Sequence, residues 1–335
     1  MSKKRLLITI VIILIVIGAG IFIGKKNNDN DKTFKIGLAQ IVEHPSLNLI
    51  RDSFLNEMEA LGYKKGENIE YLIDSANGEV NALATIMQKY KSNNVNAIVP
   101  VATPTALSAA QYSKDIPVIF SAVSDPIGAG LTTNLDKPDK NITGTSDEIQ
   151  TSLILDLILK TYPNTKKIGL IYNASEDNSV STIKKFKNDC IGHGIECYEV
   201  TIANTSELSQ AANTILEKND VIFSPIDNTV AAGIDAVANA AMKAKKPFFV
   251  AADSMVKDNG FATVGIDYEE LGRNTARMLD KVLKGEKIEN IPIKIFKDGL
   301  NIYINEVVAE KIGFVVPDDI KNQKNYKPIS LKENK

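Results

Sequence analysis

The sequence predicts an α/β protein of two doubly wound lobes, preceded by one apolar N-terminal segment. Three observations carry this reading. From Thr33 onward, short β-type apolar runs alternate with amphipathic helical stretches, the pattern of a parallel sheet covered by helices. The pattern then restarts: KIGLAQI at 35–41 is echoed by KIGLIY at 167–172, NAIVPV at 96–101 by DVIFSP at 220–225, and IPVIFSA at 116–122 by KPFFVAA at 246–252. The offsets are 132, 124 and 130 residues, so order and spacing are both kept and two Rossmann-like lobes follow. Finally, residues 6–23 (LLITIVIILIVIGAGIFI) contain no charged side chain.

In order, residues 34–39 read as a strand, 46–61 as a helix, 68–73 as a strand, 80–93 as a helix, 97–101 as a strand and 105–113 as a helix. Short strands at 117–122 and 142–145 close the first half. The second half has strand 167–172, helix 180–191, strand 196–202, helix 206–217 and strands 220–225, 246–252 and 261–266. Helix 269–283 ends at Lys284-Gly285, where glycine suits a C-terminal cap. Strands 291–296 and 300–304 flank Asp298-Gly299, a hairpin signal, and helix 306–312 precedes a polar tail.

The 335-residue chain is 44% hydrophobic and 24% charged with a net charge of −2, a composition that excludes disordered, collagenous and disulfide-dense classes. The charge is unevenly placed. Lys3, Lys4, Arg5, Lys25 and Lys26 flank the apolar run, and the remaining body carries a net of −7. An acidic body without a basic cluster argues against nucleic acid as a partner. As a helix, residues 6–23 would span roughly 27 Å, close to the hydrocarbon thickness of a bilayer. An uncleaved anchor and a secretory signal both fit, the length of the run favouring the anchor, and either places the body outside the cytoplasm. The polar residues 24–33 read as a tether. Cys190 and Cys197 form a disulfide or remain two separate thiols; spacing alone does not decide, and with only His44 and His193 in the chain no metal set is expected.

Ligands of open parallel sheets collect at the carboxyl ends of strands. The first half places Gln40, Glu43, His44, Asp74, Asn77, Thr103, Ser124, Asp125, Thr145 and Asp147 there, and the second Asn173, Ser175, Glu176, Asn178, Ser179, Asp227, Asn228, Thr229, Asp253 and Ser254. Helix starts at Thr or Ser offer backbone N–H groups to a carboxylate, and Asp125, Asp227 and Asp253 could hold an ammonium group. Each has a plainer role: Thr103-Pro104 and Asp227-Asn228-Thr229 are also N-cap sequences, and Asp125-Pro126 shapes a turn. Glu43-His44 lacks the nucleophile elbow, phosphate loop or metal set of an enzyme, so no catalytic residue is assigned.

At these strand ends the chain resembles the exported solute-binding proteins of ABC transporters, and within them the family that includes tryptophan/tyrosine-binding receptors. The matching stretches are QIVEHPSLN (40–48), ATPTALSAA (102–110), FSAVSDPIGAGL (120–131), NITGTSD (141–147), KIGLIYNASEDNS (167–179), DNTV (227–230) and DYEELGRNTARM (267–278), within a match over roughly 34–316. The lipobox Cys of Gram-positive members is missing, and the apolar segment stands in its place. The resemblance implies a type I periplasmic-binding-protein fold with three crossings between lobes. Its implied parts are an anchor or signal at 1–26, a linker at 27–33, lobe 1 at 34–147 plus about 267–290, lobe 2 at 148–266 plus about 291–320, and a tail at 321–335.

By family position the ligand residues are Asn77, Thr103, Ser124, Asp125 and Thr145 from lobe 1, with Asn173, Glu176, Ser179, Asp227, Asn228 and Asp253 from lobe 2. The resemblance implies a non-enzymatic, monomeric receptor for an aromatic amino acid, without cofactor or metal, serving an ABC permease. It would sit at the cell membrane through its N-terminal segment, or be secreted if that segment is cleaved. The alternatives are a sensory ligand-binding protein and a receptor for a branched-chain amino acid, a nucleoside or a sugar. A DNA regulator of the same fold would need N-terminal DNA-binding helices where the apolar span stands.

Overall fold

The computed structural model describes residues 33–297 and 299–330. The expected anchor or signal at 1–26 and most of the linker lie outside the described residues, as does Asp298. Among the described residues no helix is long and apolar enough to cross a membrane.

The first half alternates β1 (Phe34–Gln40), α1 (Pro45–Ala60), β2 (Ile69–Ser75), α2 (Val80–Ser92), β3 (Ala97–Val101), α3 (Thr103–Ala110), β4 (Val118–Ser121) and β5 (Ile142–Ser146). Every residue of β3, β4 and β5 is buried, as continuous apolar runs covered on both faces require. The chain then enters the second lobe with α4 (Thr151–Thr161), β6 (Lys167–Asn173), α5 (Asp177–Gly192), β7 (Glu196–Ile202), α6 (Leu208–Lys218), β8 (Val221–Ser224), α7 (Asn228–Ala232), α8 (Ile234–Lys243), β9 (Phe248–Val250), α9 (Asp253–Lys257) and β10 (Ala262–Gly265). Helix α10 (Tyr268–Leu283) and β11 (Lys294–Ile295) follow, then β12 (Asn301–Asn305), α11 (Glu306–Ile312), α12 (Asp318–Lys321) and β13 (Tyr326–Ile329).

One six-stranded sheet runs β11-β5-β4-β3-β1-β2, and a seven-stranded sheet runs β13-β12-β10-β9-β8-β6-β7. The sequence echoes fall on equivalent strands, β1 with β6, β3 with β8 and β4 with β9, in the same spatial order. All pairings are parallel except β10 with β12. Lobe 2 is filled by rings, Phe186 stacked on Phe223 at 4.3 Å and Phe261 edge-on to Phe249 and Phe314.

Helix α10 follows a strand of the second sheet yet packs on the first lobe. Its buried face, Leu271, Gly272, Thr275, Ala276 and Leu279, keeps helical spacing. Arg277 Nε donates to Glu57 of α1 at 2.8 Å, and Tyr63 Oη donates to Asp280 at 3.0 Å. The helix stops as expected: Gly285 takes φ +92° and its N–H closes on the Val282 carbonyl.

Two expectations are corrected. Strands β11 and β12 do not form a hairpin. Lys294 and Ile295 pair with β5 of the first sheet, so residues 294–295 belong with lobe 1, whereas β12 runs antiparallel to β10 in the second. The tail is not wholly irregular either, because Tyr326–Ile329 adds an edge strand beside β12. The chain therefore passes between the sheets after β5, β10 and β11, and side chains strap these passages together. Asp147 accepts from Ser124 Oγ at 2.8 Å and from Tyr268 Oη at 3.0 Å, and Gln150 Nε2 donates to the Lys297 carbonyl at 3.1 Å.

Candidate functional site

The carboxyl ends of both sheets face one cavity of about 960 Å³. Lobe 1 lines it with Ile41, Val42 and Glu43 after β1, Asn77, Glu79, Val80 and Leu83 after β2, and Thr103, Pro104, Leu107 and Gln111 of α3. Lobe 2 adds Asn173, Ser175, Glu176 and Asp177 after β6, Asn204 and Thr205 after β7, and Asn228 and Thr229 of α7. The lobe 1 wall carries the large aliphatic groups and the lobe 2 wall is mostly amides, hydroxyls and carboxylates.

Three of the non-glycine residues with positive φ sit just after strands of lobe 1. Asn77, Ala102 and Ala122 take φ of +52°, +75° and +57° at the ends of β2, β3 and β4. A left-handed alanine costs on the order of 1 kcal/mol, and such costs gather at ligand sites. Ala102 turns the chain directly into α3, whose first residue Thr103 is 2% exposed with no hydrogen-bond partner for its hydroxyl. The Thr105 hydroxyl two residues on is also unpartnered. At the start of α1, His44 is buried with both ring nitrogens lacking a hydrogen bond, and burial pushes its imidazole down to about 4 against the opposing effect of the Asn228 amide.

Of the residues expected at the ligand, Asn77, Thr103, Asn173, Glu176 and Asn228 line the cavity; Ser124, Asp125, Thr145, Ser179, Asp227 and Asp253 do not. Each of the six has another task. Ser124 holds Asp147, and Thr145 bonds Ser121 and Thr275 beneath α10. Asp227 accepts from Asn173 N, Ser179 Oγ and Val230 N at 2.7, 2.7 and 2.8 Å, capping α7 and tying it to β6. Asp253 pairs with Lys257 at 2.7 Å through one oxygen, the other lying buried without a partner. Asp125 receives Ser181 Oγ of the opposite lobe at 2.7 Å, with Lys185 at 3.8 Å.

The carboxylates that reach the cavity are instead Glu43, Glu79, Glu176 and Asp177. Glu43, Ser175 and Thr229 were visible as strand-end residues. Leu83 and Leu107 were not, although an apolar group one turn into a helix that follows a strand end is a usable signal. Glu176 is 6% exposed, and its oxygens accept from the N–H and side chain of both Asn228 and Thr229 at 2.7–3.0 Å. Cys190 and Cys197 stand as free thiols at the end of α5 and the start of β7.

Buried groups at these seams set a pH dependence. Burial raises the Asp147 carboxyl to about 6, and burial with the nearby Glu176 charge raises Asp227. Above the ordinary carboxylate range the folded chain keeps protons that the unfolded chain has lost, so each lowers stability as pH rises through its folded pKa. His44 has the opposite sign: between about 4 and its ordinary value the unfolded chain takes a proton that the fold refuses. Two groups against one leave stability falling with pH by about 1.4 kcal/mol per unit for one unbalanced proton. The thermal midpoint is expected to be higher near pH ~5 than near pH ~8, with Asp147→Asn flattening the slope. A midpoint that rises across this range would refute the assignment.

The lobes touch across the cleft at Asp125–Ser181 and through Ser254 Oγ, which donates to Ser46 at 2.6 Å. A Streptococcus pneumoniae ABC domain solved in complex with L-Trp is 34% identical, covers 88% of this chain and 99% of its own, and superposes with a TM-score of 0.84. A ligand-free, open substrate-binding protein with adhesive properties from Clostridium difficile, also 34% identical over 89% of this chain and 99% of its own, gives only 0.67. A tyrosine-binding protein of Clostridioides difficile (strain R20291) is 35% identical over 281 residues, 84% of this chain and 81% of that protein. Residues 35–326 match the family described as ABC transporter substrate binding protein. With this fold, this cleft and that match, the chain belongs to the ABC transporter substrate-binding protein family.

Proposed function

We propose that the protein binds an aromatic amino acid between its lobes and delivers it to a membrane permease for import. The body works outside the cytoplasm, tethered by the apolar segment at 6–23. The observation that carries the ligand reading is the two-sided cavity, with an unpartnered Thr103 hydroxyl at the start of α3. The wall of Ile41, Val42, Leu83, Pro104 and Leu107 suits a flat apolar side chain. The Thr103 hydroxyl and the first N–H groups of α3 suit a carboxylate, since a helix start leaves its donors free. The acidic groups around Glu176 suit an ammonium, and relatives that bind tyrosine or carry L-Trp point the same way.

The chain contains no tryptophan, so emission excited near ~295 nm reports added tryptophan alone. Titration of the purified full-length chain is expected to give a saturable change, displaced by tyrosine and phenylalanine but not by a nucleoside. Thr103→Val should weaken binding about tenfold or more, the worth of one hydrogen bond to a charged group. No saturable change by fluorescence or calorimetry would overturn the ligand assignment.

A further inference from the structure

We infer that this site recognises its ligand first by a positive charge and excludes anionic analogues, a specificity that rests on the ligand reading above. Among the described residues four charged side chains line the cavity, Glu43, Glu79, Glu176 and Asp177, and all four are acidic; neither Lys nor Arg is among them. Three of them, Glu43, Glu79 and Asp177, are exposed at the rim, and among the described residues their carboxylates make no ion pair or side-chain hydrogen bond. Glu176 is buried on neutral donors from Asn228 and Thr229, which orient its charge without cancelling it. Unpaired charges of one sign around a concave site focus their field into it and raise the local concentration of the opposite sign.

On the other side of the balance, no cation among the described residues lines the cavity. The groups left for a ligand carboxylate are neutral: the Thr103 hydroxyl, the start of α3 and the amides and hydroxyls of the lining. Removing a ligand's ammonium therefore leaves an anion among four carboxylates, whereas removing its carboxylate charge forfeits only neutral contacts.

Three indole probes separate these cases with one optical reporter: L-tryptophan, L-tryptophanamide, which keeps the ammonium and loses the carboxylate charge, and indole-3-propionate, which keeps the carboxylate and loses the ammonium. Titrated into the full-length chain, the amide is expected to bind within about tenfold of tryptophan, and the propionate about a hundredfold more weakly or not at all. Glu43→Gln with Glu79→Gln, at exposed rim positions where the fold is not at stake, should slow association of the amide and reduce its salt dependence, since rim charges act within about a Debye length. If tryptophan binds and the propionate matches or exceeds the amide, charge selection is overturned and the amino-acid reading stands. If tryptophan itself does not bind while the chain is folded, the reading falls and this inference falls with it.

Discussion

Glu176→Ala is expected to abolish ligand binding and to lower stability by about 3 kcal/mol. Its carboxylate accepts from the backbone N–H groups of Asn228 and Thr229 and from both their side chains, so one residue after β6 satisfies the start of α7. Alanine would leave these donors facing a cavity wall with no acceptor, and hydrogen bonds to charged groups are each worth about 1.5–3 kcal/mol. Water entering from the cavity side would recover part of that loss. Loss of the Glu176 charge also relieves Asp227, whose proton affinity it raises, and this offsets a smaller part. For a folded body of about 300 residues, at about 2.1 cal/mol/K of unfolding entropy per residue, the net effect corresponds to a midpoint lower by roughly 4–5 °C. Glu176→Gln keeps the shape and one acceptor oxygen but turns an NH2 toward the other pair of donors, so it should recover only part of the stability while binding weakly. Thermal unfolding of both variants beside ligand titration checks this; an alanine variant as stable as the parent would refute the role of Glu176 at α7.

The reach of sequence reasoning follows from which interactions are local. Strands β3 and β7 and helix α11 agree with expectation to the residue, because pattern and punctuation coincide there. Helix α4 was absent from the reading although TSLILDLILKT carries a helical signal, its polar Ser152, Asp156 and Lys160 falling every four residues on the exposed side. Helices α7 and α8 were absent because Gly233 divides an alanine-rich stretch whose two faces differ little. Strand β11 lies within the run 291–296 that reads as a strand, but nothing local marks its partner, and its place beside β5 is decided by where α10 delivers the chain.

The strand-end rule found about a third of the cavity wall. It failed where a strand-end group was already claimed within the fold. Asp227 and Ser179 are consumed by the cap of α7, the plainer role the Asp-Asn-Thr sequence also allowed. Thr145 is roofed by Thr275 of α10, a partner 130 residues away that no strand pattern reveals. Asp125 faces the opposite lobe instead of the ligand space, so it acts on closure, and closure is a difference between two lobe arrangements.

Gly272→Ala should be among the most damaging single-methyl changes in lobe 1. A β-carbon there would lie 2.3 Å from the Ile50 carbonyl oxygen and 3.0 Å from Phe54 N, both backbone atoms of α1 that cannot rotate aside. The two helices must separate, and overpacking of this kind typically costs about 1–3 kcal/mol. Alanine's better helix propensity returns at most about 1 kcal/mol, so the net sign is destabilising. The damage would not stay at the contact. One turn before Gly272, Tyr268 holds Asp147 at the strap between lobes; one turn after it, Thr275 holds Ser121 and Thr145 at the ends of β4 and β5. A displaced α10 therefore loosens the strap that orients closure, and ligand affinity is expected to fall about tenfold although Gly272 does not line the cavity. Calorimetric unfolding with ligand titration reads both effects. Unchanged stability would mean that α1 and α10 separate without strain, and unchanged affinity in a destabilised variant would mean that the strap does not govern closure.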